Sequence, residues 1–304
     1  MPELPEVETI ARGLAAARGL TIQRVLAARG DYVRATRRGA AKRLVGRQIA
    51  DVGRHGKRLT LHLAPEGALL VHLGMSGQVT LVAPDAPLES HTHLRLDLGP
   101  LEFRLRDPRR FGGVWIQERG DESLAAAQVT GPARHGGRPA APNADDAGAR
   151  NGARPGELGP DAWEIPEATF LSLLSRPRQI KALLLDQGAI AGLGNIYCDE
   201  ALWAARIHPL AIAAKLPRAR RRKLHAHLQR ILGDAIRAGG STLRDYRNSD
   251  GEEGEFQRSH RVYGREGEGC PRCDAPIRRL QIAGRSSHVC LRCQRTPRRP
   301  RATG

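Results

Sequence analysis

The chain opens Met1-Pro2-Glu3-Leu4-Pro5-Glu6, which places proline at the second position. Initiator methionine is expected to be trimmed before so small a residue, leaving a free secondary amine on Pro2. An α-amino group titrates near ~8, so a useful fraction is unprotonated at neutral pH. A secondary amine that condenses with an aldehyde-level carbon gives a cationic iminium, a strong electron sink. Glu3 puts a carboxylate one residue away, where it could give or take the proton such chemistry requires. The ordinary alternative is that Pro5 opens a helix and that Pro2 and Glu3 are unremarkable terminal residues.

Four of the five cysteines form one pattern: Cys270-x2-Cys273, sixteen residues, then Cys290-x2-Cys293. Two knuckles at that separation suit a four-thiolate tetrahedral zinc site joining two β-turns. Disulfides are the competing reading, disfavoured in a reducing compartment. Cys198 is left over and reads as a small buried apolar residue.

These residues must be carried by a fold, and the composition says what it meets. A net charge of +17 and a pI near 10.9 point to a polyanionic partner, with nucleic acid ahead of an anionic membrane. Aromatics make up 4% of the chain, too few for rows of stacked bases, so duplex held by its phosphates is the expected partner. No apolar run reaches membrane-spanning length and no signal-peptide pattern is seen, so no membrane association is expected.

Val7, Ile10 and Leu14 give the N-terminal helix one apolar face. From about residue 20 to 118 the pattern changes to alternation. Leu59, Leu61 and Leu63 alternate with Arg58, Thr60 and His62, and Leu94, Leu96 and Leu98 alternate with Arg95 and Asp97. Short period-two strands separated by Gly and Pro turns predict a largely antiparallel β-sandwich or barrel. Thr130–Gly156 contains 27 residues without Ile, Leu, Val, Met or an aromatic, and reads as a flexible insertion. Helical spacing then returns at Phe170, Leu173 and Leu174 and at Ile180, Leu183 and Leu184. Gly188, Gly192 and Gly194 punctuate the approach to a further helix through Ile196, Leu202 and Trp203. A later helix repeats Leu224, Leu228, Ile231 and Leu232 behind a crowd of arginines that reads as a solvated face. The expected class is α+β. The expected parts are a catalytic β-sandwich domain with its N-terminal helix (1–129), the insertion (130–156) and a helix-two-turn-helix domain (157–256). A zinc-ribbon finger (257–295) and a basic tail (296–304) complete them.

Six segments occur in one order: Pro2-Glu3-Leu4-Pro5-Glu6-Val7-Glu8-Thr9, Gly56-Lys57, His72-Leu73-Gly74-Met75-Ser76-Gly77, Asp107-Pro108-Arg109-Arg110-Phe111-Gly112, Gly192-Leu193-Gly194-Asn195-Ile196-Tyr197 and Val262-Tyr263-Gly264-Arg265. With the cysteine pattern, they resemble the bacterial formamidopyrimidine-DNA glycosylase family over nearly all the chain except the insertion. The resemblance implies a cytoplasmic, monomeric repair enzyme that excises oxidised purines from damaged double-stranded DNA. It then nicks the abasic site by β,δ-elimination. It implies a Schiff base at Pro2, ring opening assisted by Glu3, proton donation or phosphate clamping by Lys57 and support of δ-elimination by Arg285. It further implies that Met75 and Phe111 fill the void left by the flipped nucleotide, while Arg109 offers donors to the O2 and N3 acceptors of the orphaned cytosine. His91, Arg176 and Lys181 align with DNA-contacting or nearby basic positions of the family, with plain surface residues as the equal alternative. Asn195 could offer its amide to a phosphate near a helix N-terminus, with N-capping as an equal alternative. Glu255 departs from the family, standing where many members have tyrosine in the loop that caps the lesion.

Two other readings stay open at this point. An endonuclease VIII-like enzyme for oxidised pyrimidines shares the proline chemistry, but typically has glycine after Pro-Glu and lacks the Met75, Arg109 and Phe111 trio. A non-enzymatic zinc-containing DNA-binding protein accounts for charge and finger but does not require Pro2-Glu3 with Lys57.

Overall fold

The structure, a computed structural model, describes residues 1–35, 39–118, 158–243 and 246–296. The expected insertion at 130–156 and the tail beyond residue 296 lie outside the described residues. Contacts divide the chain into two compact units, Met1–Leu158 with Ile236–Glu255, and Gly159–Ala235 with Phe256–Gly304.

Among the described residues of the first unit, α1 (Leu4–Gly13) is followed by nine strands: β1 (Arg24–Ala28), β2 (Val33–Ala35), β3 (Gln48–His55), β4 (Arg58–Ala64), β5 (Ala68–His72), β6 (Gln78–Val82), β7 (Thr92–Asp97), β8 (Glu102–Arg106) and β9 (Gly113–Gln117). They form a four-stranded sheet in the order β1-β7-β8-β6 and a five-stranded sheet in the order β2-β9-β5-β4-β3. All pairings are antiparallel except β2 with β9. The alternation is realised as expected: Leu59, Leu61 and Leu63 are buried while His62 is exposed. One apolar cluster joins Leu59 and Leu61 from one sheet, Leu94, Leu96, Phe103 and Leu105 from the other, Val7 and Ile10 from the helix, and Leu14 from the turn that follows it. Each such side chain contributes roughly 1.5–3 kcal/mol on leaving water, so α1 is fixed on the sheets by its own apolar face.

By its contacts the segment Ile236–Glu255 packs with this unit, although in sequence it continues the helical domain. The reason is polar. Gly239 and Gly240 take φ of 71° and 82°, which turns the chain so that the Ser241 N–H donates to Glu6 Oε1 at 2.7 Å. The Tyr246 hydroxyl then donates to the Glu6 carbonyl at 3.2 Å.

The second unit contains α2 (Glu167–Leu173), α3 (Ile180–Leu185), α4 (Asn195–Ala204) and most of α5 (Arg218–Arg237), then the hairpin β10 (Arg278–Ile282) and β11 (Arg285–Val289). The expected helix, two turns, helix arrangement is present at α3 and α4. Gln187 staples the turns, donating to Leu185 and Leu193 carbonyls at 3.0 and 2.8 Å and accepting from the Gly192 N–H at 3.0 Å. Leu224, Leu228, Ile231 and Leu232 are buried on α5, and Arg218, Arg220 and Arg222 face solvent. A cavity of about 280 Å³ lined by Leu171, Ser172, Ser175, Arg218 and Arg221 holds none of the expected site residues.

Candidate active site and metal centre

Glu3 caps α1 in a reciprocal arrangement. Its side chain accepts from the Glu6 backbone N–H, and its own N–H donates to Glu6 Oε2 at 2.8 Å. Pro5 therefore sits inside the first turn, where a missing N–H costs nothing. Pro2 and Glu3 are buried, and the cap holds the Glu3 carboxylate beside the start of the chain. The terminal amine here belongs to Met1. Burial pushes it below the ordinary value of 8.0, Glu3 and Glu6 pull it back, and Lys57 and Arg109 push it further down. An amine in this setting is more nucleophilic at neutral pH than one in water.

Lys57 reaches the same environment from a two-residue turn between β3 and β4, in which Gly56 takes φ of 57°. Arg54 fixes that turn: its Nη1 donates to the Gly56 carbonyl at 3.0 Å and its Nε to Glu8 Oε2 at 2.8 Å. Burial alone would raise the Glu8 carboxyl, but hydrogen bonds from Arg54 and Arg12 hold it below the usual range.

Met75, Arg109 and Phe111 come from two abutting loops. Met75 is 41% exposed, which for a large apolar side chain at a turn leaves it available to something other than the core. Arg109 is exposed and its guanidinium stacks over the Phe111 ring at 4.9 Å. Beneath the Met75 turn, His72 Nδ1 accepts the Gly74 N–H at 3.1 Å. Burial, with the Arg58 and Lys57 cations, pushes His72 down to about 4. His91 is exposed with φ of 65°, and its carbonyl accepts the Asp107 N–H at 3.0 Å.

In the second unit Arg285 is exposed at the first position of β11, after the Ala283-Gly284 turn with φ of 51° and 70°. Arg176 is half-buried. Asn195 is the first residue of α4 rather than its cap, which is Gly194, so the N-capping alternative is excluded. Its Oδ1 is buried with no hydrogen-bond partner among the described residues. Lys181 corrects an expectation. It is 0% exposed and its ammonium donates to Asp199 Oδ1 at 2.7 Å, the Ser286 carbonyl at 2.8 Å and Ser287 Oγ at 2.6 Å. With three donors used, Lys181 has none left for a phosphate. It ties α4 to the β11 strand that carries Arg285.

The four cysteine sulfurs of Cys270, Cys273, Cys290 and Cys293 lie within 4.8 Å of one another. Three recorded separations are 3.5, 3.5 and 3.9 Å. A zinc tetrahedron with Zn–S of about 2.3 Å has edges of about 3.8 Å, whereas a disulfide needs about 2.05 Å. Burial and the neighbouring thiols push Cys293 up to about 12. Burial would also raise Cys270, but N–H donors from Arg272 and Trp203 bring it down to about 7. Four thiolates crowded together need a cation, which these residues fit as one zinc ion. Trp203 on α4 donates from Nε1 to Cys270 Sγ at 3.4 Å, with Arg272 stacked at 3.8 Å from its ring.

Sequence reasoning missed the residues that hold these groups in place. Glu200 accepts backbone N–H groups of Arg261, Val262 and Tyr263 at 2.9–3.0 Å. Asp107, Ser76 and Glu6 lay inside segments already singled out, yet only their contacts reveal their work. Alternation and spacing report faces, not partners.

The sequence matches the formamidopyrimidine-DNA glycosylase N-terminal domain model over residues 1–114, the corresponding H2TH domain over 158–247 and the zinc finger found in FPG and IleRS over 267–296. The chain belongs to the formamidopyrimidine-DNA glycosylase family. The formamidopyrimidine-DNA glycosylase of Aromatoleum aromaticum is 42% identical over 302 residues, covering 97% of this chain and all of that protein. That of Chloroflexus aurantiacus is 39% identical over 305 residues, covering 99% of this chain and all of the relative. Among solved structures, a mutant of Lactococcus lactis FPG bound to Fapy-dG-containing DNA aligns with a TM-score of 0.79 at 32% identity, covering 97% of this chain and 100% of that one. Thermus thermophilus MutM aligns with a TM-score of 0.75 at 36% identity, covering 96% and 98%. This member of the family is thus a zinc-finger DNA glycosylase with abasic-site lyase activity, an enzyme of base excision repair. No helix among the described residues is long and apolar enough to cross a membrane.

Proposed function

We propose that this glycosylase removes 8-oxoguanine and formamidopyrimidines from duplex DNA, acting as a monomer in the cytoplasm with Pro2 as nucleophile. The observation that carries the assignment is the buried Glu3–Glu6 cap, which holds a carboxylate against the chain start, where burial, with Lys57 and Arg109 adding to it, lowers the terminal amine of Met1. A base inside the stack is out of reach, so its nucleotide is first extruded. The Pro2 nitrogen, freed by loss of Met1, donates its lone pair to C1′, the bond to the damaged base breaks with the electrons leaving on the base, and the proton of the Pro2 nitrogen passes to the Glu3 carboxylate. Glu3 protonates the deoxyribose ring oxygen, opening the ring and leaving the iminium at C1′. The iminium acidifies the C2′ proton, whose loss expels the 3′ phosphate. A further elimination expels the 5′ phosphate. Lys57 supplies the proton or phosphate contact for the first elimination and Arg285 supports the second.

Met75 and Phe111 occupy the space of the extruded nucleotide and Arg109 donates to the orphaned cytosine, in keeping with the exposure of Met75 and Arg109 and the half-buried Phe111 ring between the two abutting loops. His91, Arg176 and the Asn195 amide contact the phosphates. The zinc ion held by Cys270, Cys273, Cys290 and Cys293 is structural: it supplies folding energy to a ribbon too small to have a core.

Borohydride trapping on an 8-oxoguanine:cytosine duplex, followed by peptide mapping, tests the assignment. The cross-link is expected at Pro2, and Glu3→Gln is expected to lose excision while keeping duplex binding. A cross-link at Lys57 would reject the nucleophile. Faster trapping on an oxidised-pyrimidine duplex would replace the substrate class with that of the endonuclease VIII-like enzymes.

A further inference from the structure

Asp107 is 0% exposed, and its side chain is engaged with the two loops rather than with solvent. Its carboxylate is spent on the two loops. Oδ1 accepts the Ser76 hydroxyl at 2.6 Å, on the residue after Met75. Oδ2 accepts the Gly112 N–H at 2.9 Å, on the residue after Phe111, and the Tyr32 hydroxyl at 3.1 Å. Ser76 passes the connection on, because its Oγ accepts the Arg109 N–H at 3.2 Å. The Asp107 carbonyl accepts the Arg110 N–H at 3.2 Å and meets His93 Nε2 at 2.9 Å. Backbone packing leaves no slack between the loops. A Cβ on Gly74 would stand 2.4 Å from the Phe111 carbonyl carbon, and one on Gly112 would stand 2.3 Å from the His72 carbonyl oxygen.

We propose that Asp107 is the positioning residue that locks the Met75 turn to the Arg109–Phe111 loop through Ser76 and Gly112, so that the three side chains enter the duplex as one rigid wedge. The proposal rests on the reading that these side chains fill the void. Unstacking a base step costs a few kcal/mol, and the protein must push against that load at the moment of extrusion. Two loops free to move separately would yield under it. A buried carboxylate with one oxygen on each loop transmits the load between them, because shifting either loop strips a desolvated charge of a donor. Arg109 gains most. Its side chain is exposed, but its backbone N–H is pinned by Ser76, which fixes where the guanidinium begins its reach toward the opposite base.

The test compares two rates on each protein: excision of 8-oxoguanine opposite cytosine, and strand cleavage at a pre-formed abasic site, which has no base to unstack. Their ratio is independent of how much enzyme is folded. Ser76→Ala and Asp107→Asn are expected to lower the ratio at least about tenfold, the cost of one charge-assisted hydrogen bond. Both are also expected to flatten the preference for cytosine over adenine opposite the lesion. Met75→Ala and Arg109→Ala serve as references. If they lower the ratio and Ser76→Ala leaves it unchanged, the locking role of Asp107 is overturned and the wedge stands. If neither reference variant moves it, the wedge reading falls and takes the proposal with it. Should Asp107→Asn fail to fold, Ser76→Ala, which removes one hydroxyl, decides alone.

Discussion

Arg54 is bound at once to Glu8 on the first helix and to the Gly56 carbonyl in the turn that presents Lys57, at 2.8 and 3.0 Å. Its side chain is 3% exposed, so the pair is desolvated and the helix bearing Glu3 is rigidly tied to the lysine turn. The two groups that the proposed mechanism brings to one sugar are thereby held in register by a third side chain that is itself almost fully buried.

Replacing Arg54 with methionine keeps the volume but strands Glu8 and releases the turn. Removing one partner of a buried pair costs up to about 3–5 kcal/mol, and the remaining Arg12 contact moderates that figure here. The expected result is a lower unfolding midpoint together with slower abasic-site cleavage, while duplex affinity changes little. Abasic-site cleavage at the unmodified rate in the folded protein would show that Lys57 needs no such anchor.

Local rules read well here because local chemistry sets them. The alternation at Leu59, Leu61 and Leu63 is a β4 face, the Gly56-Lys57 pair is a hairpin turn, and the Cys-x2-Cys pairs close on one centre. The failures are all matters of distance along the chain. Lys181 reads as a DNA-facing cation until Asp199, 18 residues on, and Ser287, 106 residues on, are seen to consume its donors. Glu6 meets Ser241 across 235 residues, so the packing of Ile236–Glu255 on the first unit has no local signature. The parallel pairing of β2 with β9 joins short segments whose apolar pattern carries no direction.

One zinc per chain is expected by metal analysis, and its removal should act locally. Hydrogen exchange is expected to lose protection across β10 and β11 on chelation while the two sheets of the first unit keep theirs. Trp203 fluorescence is expected to change as the Cys270 sulfur and the Arg272 guanidinium leave its ring. Unchanged protection of the hairpin without metal would mean that the ribbon stands on its own packing.

His72 makes the Met75 turn sensitive to acid. Its folded-state value is about 4 against an ordinary 6.5, so the neutral ring is the one the fold selects. Protonation converts Nδ1 from the acceptor of the Gly74 N–H into a donor that the turn cannot satisfy. A depressed value means that the stabilisation is fully present above about pH 6.5 and is lost as pH falls toward 4. An NMR titration of the ring should therefore show a midpoint near 4 in the folded protein. A midpoint near 6.5 would place the ring in water and remove it from the turn.

Lys181 and Arg285 contrast a buried lysine that holds a strand with the exposed arginine on that strand, for which a phosphate contact is proposed. Lys181→Met strips Asp199, 1% exposed, of its lysine while the His288 N–H at 2.8 Å and ring Nδ1 at 3.3 Å stay on Oδ2, which moderates a loss on the order of 3–5 kcal/mol. The unfolding midpoint should fall by several degrees. In the protein that remains folded, the slope of log affinity against log salt should be unchanged, because no phosphate contact has been lost. Arg285→Ala should do the reverse, keeping the midpoint and lowering the slope by about one. Asp199→Leu combined with Lys181→Met should recover part of the stability, since an apolar pair of similar volume removes the stranded charge. A Lys181→Met protein with its midpoint intact and a reduced salt slope would return this lysine to the DNA interface.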